Sequence, residues 1–204
     1  MPIPDTPAFL ALGDSYTIGE GVPEEGRWPV QLAARLREHG IDVEAPRIVA
    51  TTGWTTDELS AAMDAAALHP RYGLVTLLIG VNNQYRGRSS TEYREQFLAL
   101  LQRAAGLAGD ARRVVVVSIP DWGVTAFAEG RDRAAIARDI DAFNAIARDE
   151  TLRMHARWVD VTPASREAAA HPGMLVGDGL HPSAAQYAIW TNAILPEAKV
   201  ALGE

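Results

Sequence analysis

Five short apolar runs punctuate the chain: Ala8–Leu12, Ile48–Thr51, Leu74–Ile79, Val114–Ile119 and Trp158–Val161. Most are near-continuous rather than alternating. A strand covered by helices on both faces needs apolar side chains on both, so these runs read as strands of a buried parallel sheet. Helical stretches alternate with them, which predicts an α/β layered domain.

The helix starts are marked by their chemistry. Pro29 suits the first turn of a helix running to about His39, because its missing N–H has no intrahelical partner there. Thr55-Thr56-Asp57-Glu58 and Ser89-Ser90-Thr91-Glu92 read as capping boxes. After Ser89, the residues Tyr93, Phe97, Leu100, Leu101 and Ala104 form one apolar stripe at helical spacing. Ile136, Ile140, Phe143 and Ala147 form another, and Ser183 with Gln186 opens a last helix whose Tyr187, Trp190 and Ile194 face inward. Gly130-Arg131-Asp132-Arg133 reads as a solvated charged stretch opening a helix. Thr162–Val176, with Pro163, His171, Pro172 and Gly173, reads as a long loop, and long loops are often functional.

Composition narrows the class. With 204 residues and a hydrophobic fraction of 48%, the chain suits one domain, 1–204, with a sizeable core. A net charge of −7 argues against a nucleic-acid partner. The absence of cysteine removes disulfides, thiolate metal sites and a cysteine nucleophile, and fits a cytoplasmic protein. Met1-Pro2-Ile3-Pro4-Asp5 has no basic run before an apolar one, so a signal peptide is not expected. No stretch is apolar for long enough to span a bilayer.

Five residues carry the candidate chemistry. Ser15, in Gly13-Asp14-Ser15, closely follows the first strand, near free backbone N–H groups. Gly53, in Thr52-Gly53-Trp54, follows the second. Asn82, in Gly80-Val81-Asn82-Asn83, follows the third. Asp178 and His181 stand three apart in Asp178-Gly179-Leu180-His181-Pro182, a spacing that puts both side chains on one side of a turn. A hydroxyl, an imidazole, a carboxylate to orient it and polar donors are the parts of an acyl-transfer site. Each piece alone has an ordinary reading: a capping serine, a surface Asp–His pair, a turn glycine, a turn asparagine. Together, three of them fall at carboxyl ends of strands, where open α/β sheets bind ligands. His39, His69, His155 and His171 have no comparable setting. Asp5, Asp14, Asp178 and His171 lack metal-ligand spacing, and no phosphate or dinucleotide loop is present, so neither metal nor cofactor is expected.

These motifs, in this order, resemble the four sequence blocks of the SGNH, or GDSL-type, hydrolases, and the likeness spans nearly the whole chain. Tyr16 stands where the family usually has leucine, and Asn83 where the third block usually has aspartate. The resemblance implies a three-layer α/β/α sandwich with a five-stranded parallel sheet, a flavodoxin-like fold. It implies a carboxylic ester hydrolase working without a cofactor. By position, Ser15 resembles the nucleophile, His181 the base and Asp178 its orienting acid. The Ser15 N–H, the Gly53 N–H and the Asn82 side chain resemble the oxyanion hole. Asp14, Trp54, Asn83, Tyr85 and Trp122 are the expected substrate contacts.

The expected partner is a small-molecule ester. The bulk of Trp54, Tyr85 and Trp122, and the lack of a long apolar helix to cover a fatty chain, favour short acyl groups. Family members also deacetylate sugars, cleave lysophospholipids or thioesters, or transfer acyl groups to alcohols. A non-catalytic binding module and a flavodoxin-like nucleotide domain are the readings from other classes.

Overall fold

A computed structural model describes residues 6–168 and 170–204. The expectation about Met1–Asp5 falls outside these residues. Among them, the apolar runs form one five-stranded sheet of β1 (Phe9–Gly13), β2 (Arg47–Ala50), β3 (Leu74–Leu78), β4 (Val114–Val117) and β5 (Arg157–Val159). Every pairing is parallel, in the order β2-β1-β3-β4-β5. Each residue of β1, β3 and β4 is buried, which is why these runs do not alternate.

The chain between strands folds into α1 (Ser15–Ile18), α2 (Trp28–Glu38), α3 (Thr56–Ala65), α4 (Val81–Tyr85), α5 (Ser90–Ala108), α6 (Arg133–Arg153), α7 (Thr162–Ala168) and α8 (Ala184–Leu202). The caps follow the sequence. Pro29 lies in the first turn of α2. The Glu58 carboxylate accepts from the Thr55 N–H at 2.8 Å, and the Ser89 hydroxyl accepts from the Glu92 N–H at 3.1 Å. The predicted stripes of α5, α6 and α8 are the buried ones.

From β1 the chain moves to β2 on one side; from β2 onward it moves the other way. Right-handed crossovers then put α2 on one face and α3, α5 and α6 on the other. The packing agrees: α2 lies against α8, while α5 packs on both α3 and α6. The reversal falls between β1 and β3, whose carboxyl ends pair at Gly13 and Leu78. A crevice opens at such a switch point. Gly13 is required there, because a Cβ would lie 2.5 Å from the Leu78 carbonyl oxygen. Gly80, at φ +128°, turns β3 into α4 where a Cβ would lie 2.7 Å from the Tyr93 hydroxyl.

One expectation is corrected. Thr162–Val176 is not a continuous loop, because Thr162–Ala168 forms α7. Pro163 sits in its first turn, where proline is compatible with helix, and the Ser165 hydroxyl donates back to the Thr162 carbonyl at 2.7 Å. The Asp121–Arg166 ion pair, at 2.9 Å with its carboxylate buried, ties α7 to the segment after β4. No described helix is long and apolar enough to cross a membrane.

Candidate active site

Ser15 begins α1 two residues after β1 ends. Asp14 caps the turn, its Oδ1 accepting from the Tyr16 N–H at 3.0 Å. Asp14 is fully buried, and its Oδ2 has no hydrogen-bond partner among the described residues. Burial pushes its carboxyl up to about 7, against the hydrogen bond from the Tyr16 N–H, which pulls it down.

The Asp178–His181 turn lies at the same edge. Asp178 Oδ1 accepts from the Leu180 N–H at 2.8 Å and the His181 N–H at 3.0 Å. Its Oδ2 lies 2.6 Å from His181 Nδ1. Gly179, at φ +69°, permits the turn. Partial burial pushes the Asp178 carboxyl up, but the bonds from the His181 ring, its N–H and the Leu180 N–H outweigh this, so it sits below the ordinary carboxylate range. An ionised carboxylate only accepts, so the shared proton belongs on Nδ1 and the neutral ring keeps its lone pair on Nε2. The strand-like bridge of Leu175 with Pro182, and the Val176 N–H donating to the His181 carbonyl at 2.9 Å, hold the turn in place. Tyr16 packs on the His181 ring at 5.3 Å between centroids. It is fixed in turn by the Trp28 indole N–H, which donates to the Tyr16 carbonyl at 3.0 Å. At the position where the related blocks carry leucine, an aromatic ring supports the imidazole.

The segment carrying Gly53 is held from α4. The Asn82 amide donates to the Trp54 carbonyl at 3.0 Å, and Arg86 donates to the Gly53 carbonyl at 2.6 Å. Gly53 adopts φ +87°, which favours glycine.

One cavity of about 150 Å³ is lined by Ser15, Gly53, Asn82 and His181, with Tyr85 and Trp122 from the expected contacts. Asp178 stands behind His181. Three expected contacts do not line it. Asp14 is buried beneath the turn. Asn83 is fully buried, its amide accepting from the Thr56 N–H at 3.1 Å and donating to the Thr56 hydroxyl at 2.7 Å. Consecutive residues of a helix point about 100° apart, so Asn82 and Asn83 diverge. Trp54 meets the site through its carbonyl, not its ring.

The cavity also takes Tyr16, Thr52, Val81, Phe127 and Leu180, none of them among the expected site residues. Tyr16, Thr52, Val81 and Leu180 lie next to or within the sequence blocks that carry Ser15, Gly53, Asn82 and His181, and that adjacency is their signal in the sequence. Phe127 sits on a 3₁₀ turn, Ala126–Ala128, with no motif near it.

Residues 11–189 match the pattern of the GDSL-like lipase/acylhydrolase family. The chain belongs to that family. Membership makes it a carboxylic ester hydrolase. No curated protein sequence matches it closely enough to be a relative. Solved structures share the fold at low identity. TesA is 20% identical over 96% of this chain and 99% of its own, with a TM-score of 0.76. The psychrotrophic esterase EstA from Pseudoalteromonas sp., inhibited by monoethylphosphonate, is 16% identical over 97% and 99%, with a TM-score of 0.75. The acetylxylan esterase Axe2 from Geobacillus stearothermophilus is 20% identical over 97% and 96%, with a TM-score of 0.72.

Proposed function

We propose that this hydrolase cleaves esters of short acyl groups through an acyl-enzyme on Ser15. The observation that carries the reading is the Asp178–His181 pair, bonded at 2.6 Å, with His181 lining the same cavity as Ser15, Gly53 and Asn82. Ser15 Oγ attacks the ester carbonyl carbon, and its proton passes to His181 Nε2. Asp178 holds the imidazole in the required tautomer and stabilises the imidazolium. The carbonyl oxygen, now an oxyanion, accepts from the Ser15 N–H, the Gly53 N–H and the second Asn82 amide N–H. As the intermediate collapses, His181 returns the proton to the leaving alcohol. Water then attacks the acyl-enzyme with His181 again as base, and the acid departs. Every step is a proton or acyl transfer that these side chains can perform, so no cofactor enters it.

The acyl side is walled by Val81, Tyr85, Trp122 and Phe127. Elsewhere, an apolar cavity of about this volume takes up benzene, so the space suits a compact acyl group of about six heavy atoms or fewer. A serine-to-alanine form of Axe2, described as a catalytic mutant of that acetylxylan esterase, agrees with a serine-based reading here.

The test is rapid quench of the enzyme with p-nitrophenyl acetate, followed by intact and peptide mass spectrometry. One acetyl group on Ser15, formed before steady turnover, is expected. Steady turnover with no acylated protein would count against the reading.

A further inference from the structure

Arg131 does not stand free in solvent as its charged sequence context suggests. Its guanidinium lies over three rings at once, 5.1 Å from the Tyr85 centroid, 5.3 Å from Trp122 and 5.8 Å from Phe127. It also donates to the Tyr85 hydroxyl at 3.1 Å. These are three of the aromatic residues that line the cavity, and Arg131 itself is exposed and does not line it. The three rings touch one another at tilted or edge geometry, 5.3 to 6.1 Å apart.

Their anchoring is unequal. Trp122 is buried, and its indole N–H donates to the Gln84 side chain at 2.8 Å. Tyr85 and Phe127 are 41% and 43% exposed. Both rest edge-on against Trp122 and tilted against each other, and on the open side Arg131 lies over both and donates to the Tyr85 hydroxyl. The segment beneath Trp122 is secured separately, because Arg133 donates to the Gly123 carbonyl at 3.0 Å and the Thr125 carbonyl at 3.1 Å. Loss of Arg131 would therefore remove the outer hold on these two rings, leaving only their contacts with Trp122 and each other, and leave the segment in place.

Tyr85 comes one turn after Asn82 on the same short helix. Nearby helical positions of this spacing share a face. On the reading of Ser15, Asn82 and His181 given above, the leaving alcohol departs beside His181, so the rings beyond Asn82 meet the acyl chain. We propose that Arg131 is a specificity-determining residue that acts through the wall: it clamps Tyr85 and Phe127 over Trp122 and so sets the longest acyl group the cavity accepts. Cation–π contact and a planar fork reaching the Tyr85 hydroxyl are properties of arginine that lysine reproduces only in part.

The experiment is kcat/KM on p-nitrophenyl acetate, butyrate and octanoate for the wild type, Arg131→Ala, Arg131→Lys and Phe127→Ala, with melting curves to show each is folded. In Arg131→Ala the octanoate-to-acetate ratio should rise by about tenfold, acetate losing a little and octanoate gaining. Arg131→Lys should give a smaller rise. Phe127→Ala opens the same wall directly and should raise the ratio too, which keeps the proposal testable should Arg131→Ala not fold. Adding Arg131→Ala to Phe127→Ala should then change the ratio less than it does alone, because both act on one wall. A ratio that moves by less than about threefold in Arg131→Ala, whether overall activity is kept or lost evenly, overturns the proposal. Ser15→Ala run alongside separates the two readings. Hydrolysis surviving there removes the Ser15 assignment, whereas a flat ratio with an inactive Ser15→Ala removes only the role of Arg131.

Discussion

The Asn82 amide nitrogen donates to the Trp54 carbonyl at 3.0 Å, so a residue of α4 spans to the segment that carries Gly53. One amide hydrogen is used in that bond. The other takes no part in that bond, and Asn82 lines the cavity. The neighbouring Asn83 spends its amide on Thr56, 27 residues away and out of the cavity. Two adjacent, chemically identical side chains are thus given separate tasks by the helix they share.

Asn82→Ala should lower kcat by about 100- to 1000-fold, the usual loss for one oxyanion donor, with little change in KM. Asn83→Ala should do the reverse: a kcat close to wild type, with stability reduced by about 1–3 kcal/mol because the buried Thr56 N–H loses its acceptor. Kinetics and denaturation of both variants decide this. Equal losses of kcat would mean that the Asn82 assignment is off by one residue.

Asp178→Asn should lower kcat by up to about 10⁴-fold, less than Ser15→Ala or His181→Ala, because it removes an orienting acceptor and not a reacting group. It should also change how stability depends on pH. The Asp178 carboxyl sits below its ordinary value in the folded protein. The stability it contributes is therefore present above the unfolded-chain value and is lost as pH falls through the folded one. Wild type should exceed Asp178→Asn in melting temperature at neutral pH, and the gap should close below about pH 4. A gap that is constant with pH would contradict the charge-assisted bond.

Asp14 has the opposite sign. Its folded value is raised to about 7 by burial, so the folded state holds a proton that the unfolded chain has already released. Stability from this group is full at low pH and declines as pH rises from the ordinary carboxylate range to about 7. Asp14→Asn keeps an acceptor for the Tyr16 N–H and has no charge to bury. Its melting temperature relative to wild type should rise between pH 5 and pH 8. A relative melting temperature that stays flat or falls over that interval would show that Asp14 is solvated or paired.

Much of this arrangement was legible in the chain. A near-continuous apolar run such as Val114–Ile119 can be satisfied only by burial on both faces, and local capping chemistry such as Ser89 with Glu92 acts within one turn. The Asp178–His181 pair is legible for the same reason, since three residues of spacing define one turn. What was not legible depends on distant partners. In the sequence Asn83 reads as a substrate contact, but its amide is taken up by Thr56, 27 residues away. Arg131 and Arg133 read in the sequence as a solvated stretch, yet Arg131 covers a cavity wall whose ring at Tyr85 lies 46 residues earlier. Pro163 suggested a loop because proline ends helices as readily as it starts them. The docking of Arg166 onto buried Asp121 favours the helical outcome.

Whether Ser15 is the nucleophile is decided most directly by covalent capture. The folded enzyme is treated with a fluorophosphonate, digested, and mapped by mass spectrometry, with His181→Ala and Ser15→Ala treated in parallel. One adduct per chain on Ser15, formed far more slowly in His181→Ala and absent in Ser15→Ala, is the predicted result. An adduct on Ser118 or Ser183, or labelling of Ser15 at the same rate without His181, would contradict the account.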